Sequence, residues 1–229
     1  LIWLEVGPAG SFGVDVRGKD GKTRSLKRQA RSRDQMQAAD ARQPKRLELD
    51  WTKREARMLD EKVAYLRPGP FYDSRADTAD MWDTSDFSTF IDTSMASFAK
   101  SGARSMIVDL RDNPGGDNSF SDLLARRFAD QSFRFASTFK VKVSKAAIAS
   151  NAKRLQPGDT GVSSKFARAY AGHEPGEIID FPIERVDPAP IADRFKGRVF
   201  VLINRYSYSN AVILAALTQD FHFATIIGE

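Results

Sequence analysis

Val199-Phe200-Val201-Leu202-Ile203-Asn204-Arg205-Tyr206-Ser207-Tyr208-Ser209-Asn210-Ala211-Val212-Ile213-Leu214-Ala215-Ala216-Leu217 changes its pattern midway. Val199 to Ile203 is apolar throughout and rich in β-branched residues, so it reads as a buried strand. From Ala211 onward Ala, Leu and Ile dominate, with no Pro or Gly before Gly228, so a helix follows. The turn between them falls at Tyr206 to Asn210. Ser209 sits in it, with the small residues Ser207 and Ala211 two positions to either side. Such a corner exposes a hydroxyl beside the free N–H groups of a helix start, which is the placement a nucleophilic serine needs. Ser and Asn are also the preferred N-cap residues, and a plain cap is the simpler reading of this stretch taken alone.

A second stretch changes the balance. Ser105-Met106-Ile107-Val108-Asp109-Leu110 is another short apolar strand. It runs into Arg111-Asp112-Asn113-Pro114-Gly115-Gly116 and then a helix expected from about Ser119 to Asp130. Gly115 and Gly116 let the backbone approach a ligand closely and leave amide hydrogens uncovered. A loop that merely needs positive φ would use the same residues. Arg111, Asp112 and Asn113 are expected to shape the loop.

A strand ending Asp-Leu-Arg-Asp-Asn-Pro-Gly-Gly, then Ser207-Tyr208-Ser209, then Leu217-Thr218-Gln219-Asp220 and Ile226-Ile227-Gly228-Glu229, resembles the S41 peptidases. That family includes the C-terminal processing (tail-specific) proteases and the tricorn core protease. The resemblance runs from Lys62 to Glu229. It implies a serine-type endopeptidase that hydrolyses a peptide or protein substrate through an acyl-enzyme on Ser209, which lies eleven residues before Asp220. It also implies an oxyanion hole made by the backbone N–H of Asn210 and that of Gly115 or Gly116. Asp220 matches an acidic residue at the end of this helix, a supporting acid. No cofactor and no metal are implied. The implied fold is α/β, a ClpP/crotonase-like ββα spiral core, which the pattern alone would not give. Val212 departs from the family, since the processing proteases usually carry Glu there. That leaves an alternative: a catalytically inactive binding module for a peptide or small hydrophobic ligand.

The general base is not evident. A serine hydroxyl needs a group to remove its proton. His222 lies thirteen residues after Ser209 on the same expected helix, so at about 1.5 Å per residue it is roughly 20 Å away. His173, in Gly172-His173-Glu174-Pro175-Gly176, reads as a surface histidine on a loop. In the family the base is a lysine shortly after the Gly-Glu that ends the next strand, or a histidine well upstream. Both positions are expected outside this chain segment. Lys140, Lys142 and Lys145 match no family position.

Composition narrows the classes further. With 229 residues, a hydrophobic share of 41% and 16 Phe, the chain can build a sizeable core. The absence of Cys excludes disulfides and thiolate metal sites, and two His are too few for a His-rich zinc site. No apolar run approaches the roughly 20 residues of a membrane span. The formal net charge of +5 is uneven: 14 Lys and Arg face 6 Asp and Glu between Arg17 and Arg57, leaving 21 against 24 elsewhere. That basic segment contains only Trp51 as an aromatic, so it reads as a solvated hairpin and linker and not as a nucleic-acid surface. The chain opens without Met and is expected to be a mature or trimmed fragment. Family habit points to the periplasm or export, and an oligomer is left open.

The organisation expected along the chain has three parts: 1–32, a β-hairpin or the C-terminal remnant of a PDZ-like domain; 33–60, a linker and entry strand; and 61–229, the peptidase-like core. Phe12 to Arg17 and Thr23 to Lys27 flank a Lys19-Asp20-Gly21-Lys22 turn. Ala30 to Lys45 reads as a polar linker with partial helix. Leu47 to Trp51 and Lys62 to Leu66 read as strands. Phe87, Phe90, Ile91, Met95 and Phe98 recur at helical spacing within Trp82 to Lys100. Phe133 to Val143 alternates as a strand would, and Ser144 to Pro182 reads as a lid or substrate-facing insertion.

Overall fold

The computed structural model describes residues 10–42, 49–75, 77, 80–158 and 161–228. The chain divides into two compact units, Leu1–Glu48 and Leu49–Glu229.

Among the described residues the first unit holds a hairpin and one helix. Strands β1 (Ser11–Arg17) and β2 (Thr23–Gln29) pair antiparallel, as the Asp20-Gly21 turn predicts. Helix α1 (Arg33–Asp40) starts with a capping box: Ser32 Oγ accepts the Gln35 N–H, and the Gln35 side chain accepts the Ser32 N–H. This local device makes a helix out of a segment with little apolar content. Most of the Gly7 to Ser11 motif lies outside the described residues.

The second unit is built on a mixed five-stranded sheet in the order β3-β4-β5-β8-β9. Its strands are β3 (Glu55–Met58), β4 (Val63–Arg67), β5 (Ser105–Asp109), β8 (Arg198–Ile203) and β9 (Thr225–Gly228). Only β3 runs antiparallel; the other four are parallel to one another. The parallel strands are joined by helices, as parallel pairing requires. Helix α2 (Ser85–Lys100) links β4 to β5, and α6 (Asn210–Asp220) links β8 to β9. Helix α3 (Asn118–Ala125) follows β5. All four parallel strands therefore end at one edge of the sheet, where open α/β sheets carry their sites.

The core is aromatic, as the α2 stripe predicts. Phe87, Ile91, Met95 and Phe98 are buried, and Phe90 packs beside them. Phe87 meets Phe71 and Phe120 edge-on, with ring centroids 6.2 and 5.2 Å apart. Among the described residues no helix is long and apolar enough to cross a membrane.

Three expectations change. The entry strand is Glu55–Met58, and residues 49–51 form no strand. Glu-Ala-Arg-Met reads as polar, yet Ala56 and Met58 face the core while the Arg57 guanidinium lies over the Tyr65 ring. The helix after the glycine loop stops at Ala125, short of Asp130. The alternation from Phe133 to Val143 gives only a short strand, β6 (Lys140–Lys142). Phe133 is instead buried against Phe223 and bridges Val186, while Phe139 contacts Phe135 and Phe181. The alternation there reflects packing and not a continuous ladder.

The insertion from Ser144 to Pro182 is ordered into helices α4 (Lys145–Ala152) and α5 (Val162–Tyr170) and strand β7 (Ile178–Asp180), which pairs with β6. The buried Asn151 amide donates to Ser163 O (2.8 Å) and ties the two helices together.

Candidate active site

The loop after β5 and the turn after β8 are stitched side by side. Leu110 N–H donates to Leu202 O, extending the pairing of the two strands. Asn204 then crosses the gap: its Oδ1 accepts the Asp112 N–H and its Nδ2 donates to Asp112 Oδ1, both at 3.1 Å. Ser207 Oγ donates to Leu110 O (2.8 Å), and Tyr208 N–H donates to Asn113 O (2.9 Å).

These contacts force the chain through a strained corner at Ser209, with φ 51° and ψ −123°. A non-glycine residue held there costs about 1–3 kcal/mol. Ser209 occupies the N-cap position of α6, but its side chain makes no capping hydrogen bond. Among the described residues its Oγ has no hydrogen-bond partner, and the residue is exposed. The plain-cap reading therefore does not describe this serine. Around the corner, Ala211 N–H is taken by Tyr208 O, while Val212 and Ile213 N–H both go to Ser209 O. Among the described residues Asn210 N–H has no acceptor, so it is the open amide of the first turn.

The glycine loop presses directly on this corner. A Cβ on Gly115 would sit 2.7 Å from both Ser209 Cβ and Asn210 N. A Cβ on Gly116 would sit 2.0 Å from Phe71 O. Phe71 N–H donates to Gly115 O and Asp117 N–H to Phe71 O, so the loop is laced to the chain following β4. Gly115 N–H is already spent on Asn113 Oδ1 (2.8 Å), whereas Gly116 N–H has no acceptor among the described residues. Of the two glycines named from the sequence, the geometry leaves Gly116 with the open amide.

Two buried asparagines hold the arrangement. Asn113 also donates from Nδ2 to Gly69 O (2.7 Å). Asn210 donates from Nδ2 to Asp117 O and Ser121 Oγ (2.8 and 2.9 Å), locking the start of α6 to the start of α3. Beneath the loop lies a buried ionic cluster. Asp109 accepts two bonds from the Arg111 guanidinium (2.9 and 2.8 Å), one from Tyr65 Oη (2.7 Å), and faces Arg67 at 3.7 Å. Arg67 reaches on to Arg111 O (2.9 Å). Burial alone would push the Asp109 carboxyl up, but the bonds from Arg111 and Tyr65 outweigh it and hold it below its ordinary value. Burial raises the Tyr65 hydroxyl, and its bond to Asp109 adds to the rise. Sequence reading did not single out Arg67 or Tyr65; nothing in a short alternating strand marks them.

Asp122, on α3, behaves oppositely. Burial, then the charge of Asp117, pushes its carboxyl up from 3.8 to about 7, with Arg126 only partly opposing. A carboxyl raised on folding costs nothing below its unfolded value and destabilises increasingly as pH rises toward the folded one. Asp122→Asn should therefore raise the melting temperature at pH 8 and leave it unchanged near pH 4. Discounted for partial exposure, the gain is about 1 kcal/mol. Thermal denaturation at the two pH values checks this; an equal shift at both would contradict it.

The remaining sequence-predicted residues are not brought to Ser209. Asp220 is exposed at the far end of α6, about 16 Å along the helix. A supporting acid acting directly on Ser209 is therefore not at this position. His222 lies beyond it, also exposed. His173 is a surface histidine whose Nδ1 meets Glu177 Oε2 at 2.7 Å.

The described architecture is that of a mixed α/β protein whose loops converge at the carboxyl edge of a largely parallel sheet. A family model of peptidase family S41 matches residues 62–229. The chain belongs to that family. Solved structures give weaker likenesses. Mature CPAF is 16% identical, with a TM-score of 0.47 over 96% of this chain and 53% of that one. The photosystem II D1 C-terminal processing protease is 15% identical, with a TM-score of 0.47 over 96% of this chain and 43% of that one. The chain thus spans about half the length of these structures. No curated relative matches it in sequence.

Proposed function

We propose that this chain is the core of a serine-type endopeptidase in which Ser209 Oγ attacks a peptide carbonyl. The bond from Oγ to the carbonyl carbon forms, the amine leaves with a proton, and water then releases the acyl group. The observation that carries this reading is Ser209 itself: a serine held at φ 51° on a strand-to-helix corner, uncapped, exposed and pressed against Gly115. The open amides of Asn210 and Gly116 are the oxyanion donors in this reading, and Gly115 serves as the close-approach residue. The family resemblance offers a lysine or a histidine as the proton acceptor, and His173 and His222 match neither position. The substrate is a peptide or protein, and cleavage near a C-terminus follows family habit. The same reading makes 61–229 a ClpP/crotonase-like spiral core and 1–32 either the end of a PDZ-like domain or a plain β-hairpin.

The test is labelling of the full-length protein with a fluorophosphonate, the modified residue being located by mass spectrometry. Label is expected on Ser209 and absent from Ser209→Ala. A folded protein that takes no label, or a variant that labels equally, overturns the reading; the first outcome would favour a peptide-binding module in which Val212 replaces a functional acid.

A further inference from the structure

The opposite edge of the main sheet carries a cleft that the proposed chemistry does not use. Ser105 and Arg198, where β5 and β8 begin, pair in register there. The six-residue β8 separates this edge from the Ser209 turn by about 20 Å. The cleft encloses about 1030 Å³ between the second half of α2, the turn into β5, and the segment leading into β8. Its apolar lining is Met95, Ala96, Ala99 and Phe195. Its charged lining is basic, with Arg104, Arg127, Arg194, Lys196 and Arg198 against only Asp92 and Asp193.

Some of these charges are already engaged. Arg127 is paired with Asp92, Arg194 donates to Ala129 O (3.1 Å), and the Arg198 guanidinium lies over the Phe200 ring. Among the described residues the Arg104 and Lys196 side chains have no ion-pair or hydrogen-bond partner. The segment Arg194 to Gly197 also lines a second depression of about 410 Å³, which continues past Phe128, Ile191 and Phe223. That depression contains Asp130 and His222. The two hollows share the wall Arg194 to Gly197, and Lys196 lines both of them.

We infer that this cleft binds an acidic peptide segment, with apolar side chains against Met95, Ala96, Ala99 and Phe195 and carboxylates against Arg104 and Lys196. Three features select this occupant. The two hollows together carry five cations against three carboxylates, and Arg104 and Lys196 among the cations are unengaged, which fits carboxylates. Met95, Ala96, Ala99 and Phe195 give apolar side chains a place in the cleft, which a phosphate alone would not use. A nucleic-acid backbone carries a charge at every residue and no apolar side chain, so it would meet Asp92, Asp130 and Asp193 without using the apolar lining, whereas a peptide can place carboxylates only where Arg104 and Lys196 stand. The inference is independent of the peptidase reading, because none of its residues lies at the Ser209 edge.

The probe is a fluorescein-labelled peptide alternating Glu with Leu, titrated by anisotropy against the Ser209→Ala chain so that no cleavage occurs. Its counterpart with Gln for Glu and a single-stranded oligonucleotide serve as competitors. The acidic peptide should bind and weaken with added salt. The double variant Arg104→Glu, Lys196→Glu should weaken it about tenfold or more. Both residues are exposed, so circular dichroism should be unchanged by the reversal. In a chain that retains Ser209, the reversal should also leave fluorophosphonate labelling as it was, which separates failure here from failure of the peptidase reading. Equal binding of the neutral peptide, no effect of the charge reversal, or displacement of the acidic peptide by the oligonucleotide would each overturn the inference.

Discussion

Gly116→Ala should cost the protein most of its stability. The added Cβ would lie 2.0 Å from Phe71 O and 2.4 Å from Phe71 C, both backbone atoms that cannot swing aside. The glycine also sits at φ 143°, a conformation closed to side chains. Relief requires parting the loop from the segment after β4, breaking the Asp117 N–H to Phe71 O bond and opening the Phe71–Phe87–Phe120 packing beneath. A backbone clash with core rearrangement belongs to the class of substitutions that cost about 4 kcal/mol or more, a large part of an ordinary domain's net stability. Urea denaturation should show a midpoint sharply lowered or no folded baseline at all. Any folded fraction should label poorly at Ser209. A variant that unfolds at the wild-type midpoint would show that the loop does not pack as described.

Asp109→Ala should be nearly as damaging, for an electrostatic reason. It strips the counter-charge from Arg67, whose side chain is 6% exposed, and leaves the Arg111 fork without its acceptor. Breaking a buried ion pair from one side costs about 3–5 kcal/mol, because the remaining charge has no water to turn to. Tyr65→Phe removes one hydrogen bond from the same cluster and should cost only about 1 kcal/mol. The comparison is the check: equal losses in the two variants would mean the ion pair contributes little. Acid should mimic the substitution. The Asp109 carboxyl is held below its ordinary value of 3.8, so its stabilisation is present at neutral pH. It is lost as pH falls through that lowered native value. Asp109→Ala should accordingly show a flatter acid limb than the unaltered chain.

How far the sequence reveals this depends on the range of the forces involved. The strand-to-helix corner at Ser209 is legible because both flanks have strong local signals, a β-branched run and an Ala-Leu helix. The α2 stripe and the first hairpin are legible for the same reason. The insertion is opaque: Lys145 to Ala152 has no apolar periodicity, and its helix is fixed by a Ser144 cap and the Asn151 bond to Ser163. The sequence does not mark β3, because its strand character comes from pairing with Tyr65 and its neighbours, not from its own residues. Within the site, the choice between Gly115 and Gly116 turns on one side-chain bond from Asn113, which no motif records. The Asp109 cluster joins residues 44 positions apart, so only the folded sheet shows it.

The stitching across the two loops also governs when the site can exist. Its hydrogen bonds join residues 92, 97, 93 and 89 positions apart, from Asp112 and Leu110 to Asn204 and Ser207, and from Asp117 and Ser121 to Asn210. Closing loops of that length is entropically costly and slow, so these contacts follow the local helices and hairpins. A ribosome must release nearly the whole of this segment before Ser209 has its corner and Gly116 its place. On the reading proposed above, the nascent chain thus carries no assembled serine site while its backbone is still extended, and the site forms only once the two loops have met in the folded molecule.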